Sequence, residues 1–143
     1  DVKIVVGSNL AVEIPPNYFD GIFVSNFLEH LKNQEEVALF LKRMHDSLKK
    51  GGRIAIMGPN FKYCYREYFD FADHHVILTE LSVAEHLYGA GCEIIKIIPR
   101  FFPLSFRSGG HLPITSSIIK AYLHFPIAWR IMGKQFLIIG EKQ

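Results

Sequence analysis

The run Phe19-Asp20-Gly21-Ile22-Phe23-Val24-Ser25-Asn26-Phe27-Leu28-Glu29-His30, continued through a polar-capped stretch to Lys49-Lys50-Gly51-Gly52-Arg53-Ile54-Ala55-Ile56-Met57-Gly58-Pro59-Asn60, decides the fold. Residues 20–24 are mostly apolar and β-favouring, the pattern of a strand covered on both faces. Asn33 and Glu36 have the spacing of a capping box that opens a helix. Val37, Leu39, Phe40, Leu41, Met44 and Leu48 give that helix a broad apolar face, while Glu35, Lys42, Arg43, Asp46 and Lys49 supply its wet side. Gly51 and Gly52 are read as the helix stop, because glycine tolerates the left-handed turn after a last helical residue. A second strand then follows at once. The unit is βαβ, and a right-handed crossover is expected.

Outward from this unit, composition narrows the possibilities. At 143 residues, with 49% hydrophobic and 13% aromatic residues, the chain can build one cored domain and is not a disordered segment. A net charge of +2 is too mild to argue for nucleic acid. Cys64 and Cys92 have neither metal spacing nor a disulfide framework, so a reduced, cytoplasmic setting is expected. No apolar run is long enough to span a bilayer.

Upstream, Val2–Val6 reads as a strand closed by Gly7, and Pro15-Pro16-Asn17 forbids its continuation. Downstream, residues 61–75 are aromatic and polar with poor periodicity, a loop with a short helical piece. Thr79 caps a helix from about Glu80 to Tyr88 whose inward residues are Leu81, Ala84 and Leu87, and Gly89 and Gly91 end it. Cys92–Ile98 is a strand stopped by Pro99. Residues 100–117 read as a loop insertion. Residues 114–129 are partly helical, with a break at Pro126, and Phe136–Gly140 is a final strand. The apolar 114–129 stretch, flanked by Lys120 and Arg130, also has the make-up of a membrane-surface segment, although packing across the sheet is the favoured account of it.

The set "FD-x-(apolar)-SN-x-LEH", helix, "L-K-x-GG-x-(apolar)-PN" resembles motifs IV and V of the class I S-adenosylmethionine-dependent methyltransferases. From Pro59 onward, the runs Asp73-His74-His75, Ile98-Pro99-Arg100-Phe101 and Gly133-Lys134-Gln135-Phe136 resemble bacterial members of that family encoded beside polysaccharide genes. The resemblance implies an α/β, partial Rossmann-like sheet equivalent to strands 3–7 of an order 3-2-1-4-5-7-6. It implies helices on both faces and an antiparallel C-terminal strand pair. The sequence holds no glycine-rich loop between a strand and a helix. Residues 1–143 are therefore expected to form a single, truncated domain, the C-terminal part of the fold, with weak or absent cofactor binding by itself. The strand at residues 20–24 would then lie at an edge. It is expected either to pair with Val2–Val6 or to join two chains into a homodimer.

The resemblance implies S-adenosylmethionine as cofactor, with Ser8, Asn9 and Leu10 along its adenine and Ser25, Asn26, Phe27 and His30 toward its methionine end. Independently, ligands of an open α/β sheet bind at the carboxyl ends of the strands, here Ser25–Phe27 and Pro59–Phe61. Asn60, Tyr63, Tyr68 and Asp73 are the candidate substrate contacts. His74 and His75 are candidate general bases, because a histidine near neutral pKa can take a proton from a hydroxyl or amine during methyl transfer. Pairing with Asp73 would suit that role. Glu29 is read as a helix-start acid complementing the dipole. Adjacent histidines on an extended segment point opposite ways, so no metal centre is expected. The implied reaction is methyl transfer to oxygen or nitrogen of a small molecule or glycan. The alternative is an α/β unit without catalytic competence that dimerises through its open edge.

Overall fold

The computed structural model describes residues 4–104 and 115–143. Four strands form one sheet in the order β1-β2-β4-β3: β1 is Phe19–Ser25, β2 Leu48–Pro59, β3 Cys92–Phe102 and β4 Gln135–Lys142. β1 and β2 are parallel, and β4 runs antiparallel to both β2 and β3. The expected α/β sheet with an antiparallel C-terminal pair is therefore present. Among the described residues its first strand is the one beginning at Phe19.

The crossover from β1 to β2 is α1, Gln34–Ser47. Asn33 Oδ1 accepts from the Glu36 amide at 2.9 Å, as the sequence predicts. The return arm of the box differs, because the Glu36 carboxylate accepts from the amide of Lys32 rather than of Asn33. The helix also stops earlier than expected, at Ser47, and Leu48 is already extended. Gly51 and Gly52 lie inside β2, where the register jumps from Phe19↔Leu48 to Gly21↔Arg53. Gly51 has φ +74°, and a Cβ on Gly52 would sit 2.8 Å from the Lys49 carbonyl. The pair accommodates a bulge rather than capping a helix.

The core lies between the sheet and α1 plus α3, Glu80–Ala90. Ile54, Ile56, Phe136 and Ile138 face Val37, Leu41, Val83 and Leu87, all essentially inaccessible. Each such side chain contributes about 1.5–3 kcal/mol. Two predicted inward residues are corrected: Leu39 is 51% and Leu81 60% exposed, while Val83 and Ala90 take the inner positions on α3. Gly91, at φ +102°, caps α3; Gly89 is within it.

β3 runs past Pro99 to Phe102, with a register shift between Ile98 and Phe102 that absorbs the proline. Residues 100–102 are thus strand rather than loop, and the rest of the predicted insertion lies largely outside the described residues. α2 is the short Phe61–Cys64 turn; α4 is Ser116–His124 and α5 Pro126–Met132, with Pro126 in the first turn. No described helix is long and apolar enough to cross a membrane.

The predicted strand at Val2–Val6 is not found over its described part: Ile4, Val5 and Val6 are exposed and in no strand. Its expected pairing on β1 is accordingly absent there, and β1 is an edge among the described residues. Residues 7–15 fold back beside that edge without joining the ladder. The two faces of the sheet are covered unequally. Alternation along β1 and β2 puts Phe23, Ala55 and Met57 opposite the core, and Phe23 is 65% exposed.

Candidate active site

β1 is cut short by the conformation of its own exit. Asn26 adopts φ +47°, a left-handed geometry that asparagine tolerates better than most residues. Its main-chain amide donates to the Met57 carbonyl at 2.9 Å, beside the last β1–β2 pair, and its side-chain Nδ2 donates to Ser25 Oγ at 3.2 Å. The chain then turns into a 3₁₀ segment, Leu28–His30. Along the open edge of β1 runs a cleft of about 290 Å³ whose walls include Asn9, Ile22, Ser25, Phe27 and Phe40. It gathers three members of the predicted cofactor set, Asn9, Ser25 and Phe27. Ser8 and Leu10 flank Asn9 in the same turn, where Ser8 O accepts the amides of Ala11 and Val12. A larger hollow of about 720 Å³ lies toward the entry end of β1, between Phe19–Ile22 and residues 5–15. It sits away from the strand's carboxyl end, where such sheets bind ligands.

His30 belongs to a second grouping. Its Nδ1 is 3.0 Å from the Asp73 carbonyl oxygen and 3.2 Å from Asp73 Oδ2. Asp73 thus partners His30, not His74 or His75 as expected. The opposite orientation of the adjacent histidines is as read from the sequence: His74 is buried and His75 exposed. His74 lies face to face with Phe71 at 5.0 Å and edge-on to Tyr68 at 4.8 Å and His30 at 5.1 Å. Burial, aided by the neighbouring His30, lowers its pKa below the ordinary value. It therefore stays neutral and able to accept a proton near pH 7.

The predicted substrate residues divide. Tyr68 is fully buried and its hydroxyl donates to the Val76 carbonyl at 2.5 Å, while burial raises its pKa. Asn60 is also fully buried: Nδ2 donates to Glu80 Oε2 at 2.7 Å and to the Pro99 carbonyl at 2.9 Å, and Oδ1 caps α2 through the Lys62 amide. Both side chains hold the 60–80 segment together. Tyr63 lies at the surface under the Arg100 guanidinium, 4.9 Å from its ring centre. Asp73 is exposed.

The residue missed by sequence reading is Glu29. It is 1% exposed, and its Oε2 has no hydrogen-bond partner among the described residues. Its main-chain carbonyl accepts from the amides of His75 and Val76, which draws the histidine segment against the exit of β1. Burial raises the pKa of its carboxyl. The available signal was a Glu-His pair directly after a strand end, which a helix-dipole reading explained too easily.

Comparison with known proteins now adds to the geometry. Residues 1–56 match the family model described as a methyltransferase domain. No curated protein matches the sequence. Among solved structures, the chain is similar to an S-adenosylmethionine-dependent methyltransferase from Archaeoglobus fulgidus, with TM-score 0.68 and 20% identity over 96% of this chain and 66% of that one. It is similar to geranyl diphosphate C-methyltransferase from Streptomyces coelicolor, determined with Mg²⁺, geranyl diphosphate and S-adenosylhomocysteine, with TM-score 0.62 and 13% identity over 97% of this chain and 52% of that one. It is also similar to the [4+2]-cyclase SpnF, with TM-score 0.61 and 15% identity over 96% of this chain and 54% of that one. The chain thus spans about two thirds or less of these structures.

Proposed function

We propose, from the fold the chain shares with S-adenosylmethionine-dependent methyltransferases and from the methyltransferase-domain match over residues 1–56, that it serves methyl transfer to an oxygen or nitrogen of a small molecule or of a glycan or lipid-linked sugar. The observation that carries the reading is the convergence of Asn9, Ser25 and Phe27 on one cleft at the carboxyl end of β1. The fold alone would not suffice, since a cyclase shares it.

The donor set fits the cofactor in part. Phe27, Ile22 and Phe40 offer an apolar wall for a base, the Asn9 amide can bond a base edge, and Ser25 and Asn26 offer polar groups for an amino-acid end. No carboxylate suited to a ribose diol lines this cleft among the described residues. When bound, S-adenosylmethionine supplies a methyl group activated on a sulfonium. The protein's own share is then to align an acceptor and exclude water. In this reading neutral His74, or exposed His75, takes the acceptor's proton.

A second reading is favoured by the open edge of β1 and by exposed Phe23: an α/β unit without catalytic competence that forms a homodimer through that edge. Calorimetric titration with S-adenosylmethionine and S-adenosylhomocysteine separates the two. Saturable binding at micromolar ligand supports the transfer reading. No heat at millimolar ligand, together with a dimer by light scattering, supports the second.

A further inference from the structure

We infer that Glu29, His30 and His74 form a binding site for one divalent transition-metal cation at the carboxyl end of β1. Read from sequence alone, the adjacent histidines point opposite ways and Glu29 is a helix-start acid, so no metal is expected. In the structure the three ligands come from two segments, Leu28–His30 and residues 73–76, tied by the paired hydrogen bonds to the Glu29 carbonyl. One candidate ligand atom from each residue lies within 4.8 Å of the other two. Ligand atoms about 2.0–2.2 Å from a tetrahedral ion sit roughly 3–4 Å apart, so a small side-chain adjustment closes the set.

Three independent details point to a ligand rather than to packing. Glu29 is a buried carboxylate with an unpartnered Oε2, and such groups are normally satisfied. His74 is likewise buried, with Nδ1 unpartnered. His30 is held through Nδ1 by Asp73, which leaves Nε2 facing Glu29 Oε1 at 3.8 Å. A carboxylate on one ring nitrogen that frees the other for an ion is the outer-shell arrangement of metal-binding histidines. The aromatic contacts of Phe71 and Tyr68 fix the His74 ring.

The donor chemistry sets the class of ion. Two imidazoles and one carboxylate suit Zn²⁺, Co²⁺ or Fe²⁺; Mg²⁺ and Ca²⁺ prefer all-oxygen sets. Three protein ligands leave at least one coordination position open to solvent or substrate. Binding of the ion is tested without cofactor, and with His74 as a ligand the acceptor's proton in the methyl-transfer reading falls to exposed His75.

The test uses the chain titrated with CoCl₂ and ZnCl₂ without cofactor, followed by visible absorption and calorimetry. One equivalent is expected, with d–d bands of low-coordinate Co²⁺ that Zn²⁺ displaces. Glu29→Gln and His74→Gln should each weaken binding at least tenfold, and Asp73→Asn should weaken it less. His124→Asn, on α4, should not change it. In case the variants fail to fold, the histidine ring ¹⁵N resonances of the unaltered chain give a second readout. Zn²⁺ should shift two ring systems in unison at one equivalent. No saturable uptake at millimolar Co²⁺, uptake indifferent to Glu29→Gln and His74→Gln, or resonance shifts spread over all seven histidines would overturn the site.

Discussion

Glu80 shows how a single carboxylate can be kept charged inside this protein. Burial alone would raise its pKa, but Lys62 Nζ at 2.6 Å and Asn60 Nδ2 at 2.7 Å outweigh that and hold it below the ordinary value of about 4.5. The folded state therefore binds fewer protons than the unfolded chain just below that pH. The stabilisation is complete above about pH 4.5 and is lost as pH falls through the depressed folded value. Glu80→Gln should cost about 1–3 kcal/mol at pH 7, and the gap from the unaltered chain should close on acidification, as read by urea melts from pH 7 to pH 3. An equal gap at every pH would place the stabilisation elsewhere. At this scale the sequence was a poor guide. Asn60 and Glu80 are 20 residues apart, and nothing in their spacing says that they meet. The same holds for Glu29, whose environment is made by residues 73–76.

Helix faces were half legible, for a physical reason. The apolar period of α1 is real, but a helix packed against one sheet buries a narrower stripe than its apolar residues can fill. Leu39 is left outside while Leu41 is fully buried. Leu41→Ala should cost about 2–5 kcal/mol, and Leu39→Ala about 0.5 kcal/mol or less. Equal costs by denaturant unfolding would mean that Leu39 is covered in solution. In α3 the same competition put Val83 inward in place of Leu81. Element existence was read more securely than element ends. Strands β1, β2 and β4 and helices α1 and α3 follow from local periodicity and caps, whereas the stop at Ser47 and the run of β3 past Pro99 depend on pairing with distant strands.

For the whole molecule, the strand order places β1 and β3 at opposite edges, with the candidate site on the β1 side. The β1 edge and exposed Phe23 predict association: light scattering should show a concentration-dependent dimer, and Phe23→Lys should shift it toward monomer. A monomer at every concentration would remove the edge as an interface. Near the far end of β3 sits the chain's single tryptophan, Trp129 in α5. Its indole N–H donates to the Tyr122 carbonyl at 2.9 Å, and its ring meets Phe101 edge-on at 5.0 Å. Neither α4 nor α5 contributes a fully buried residue, so this helical pair should detach at lower denaturant than the sheet. The emission midpoint should precede loss of far-ultraviolet ellipticity; coincident midpoints would make the pair part of one cooperative unit. The chain's natural fluorophore therefore reports on the corner where α4 and α5 meet β3, and an emission melt taken alone would record the loosening of that corner and be mistaken for the melting of the sheet.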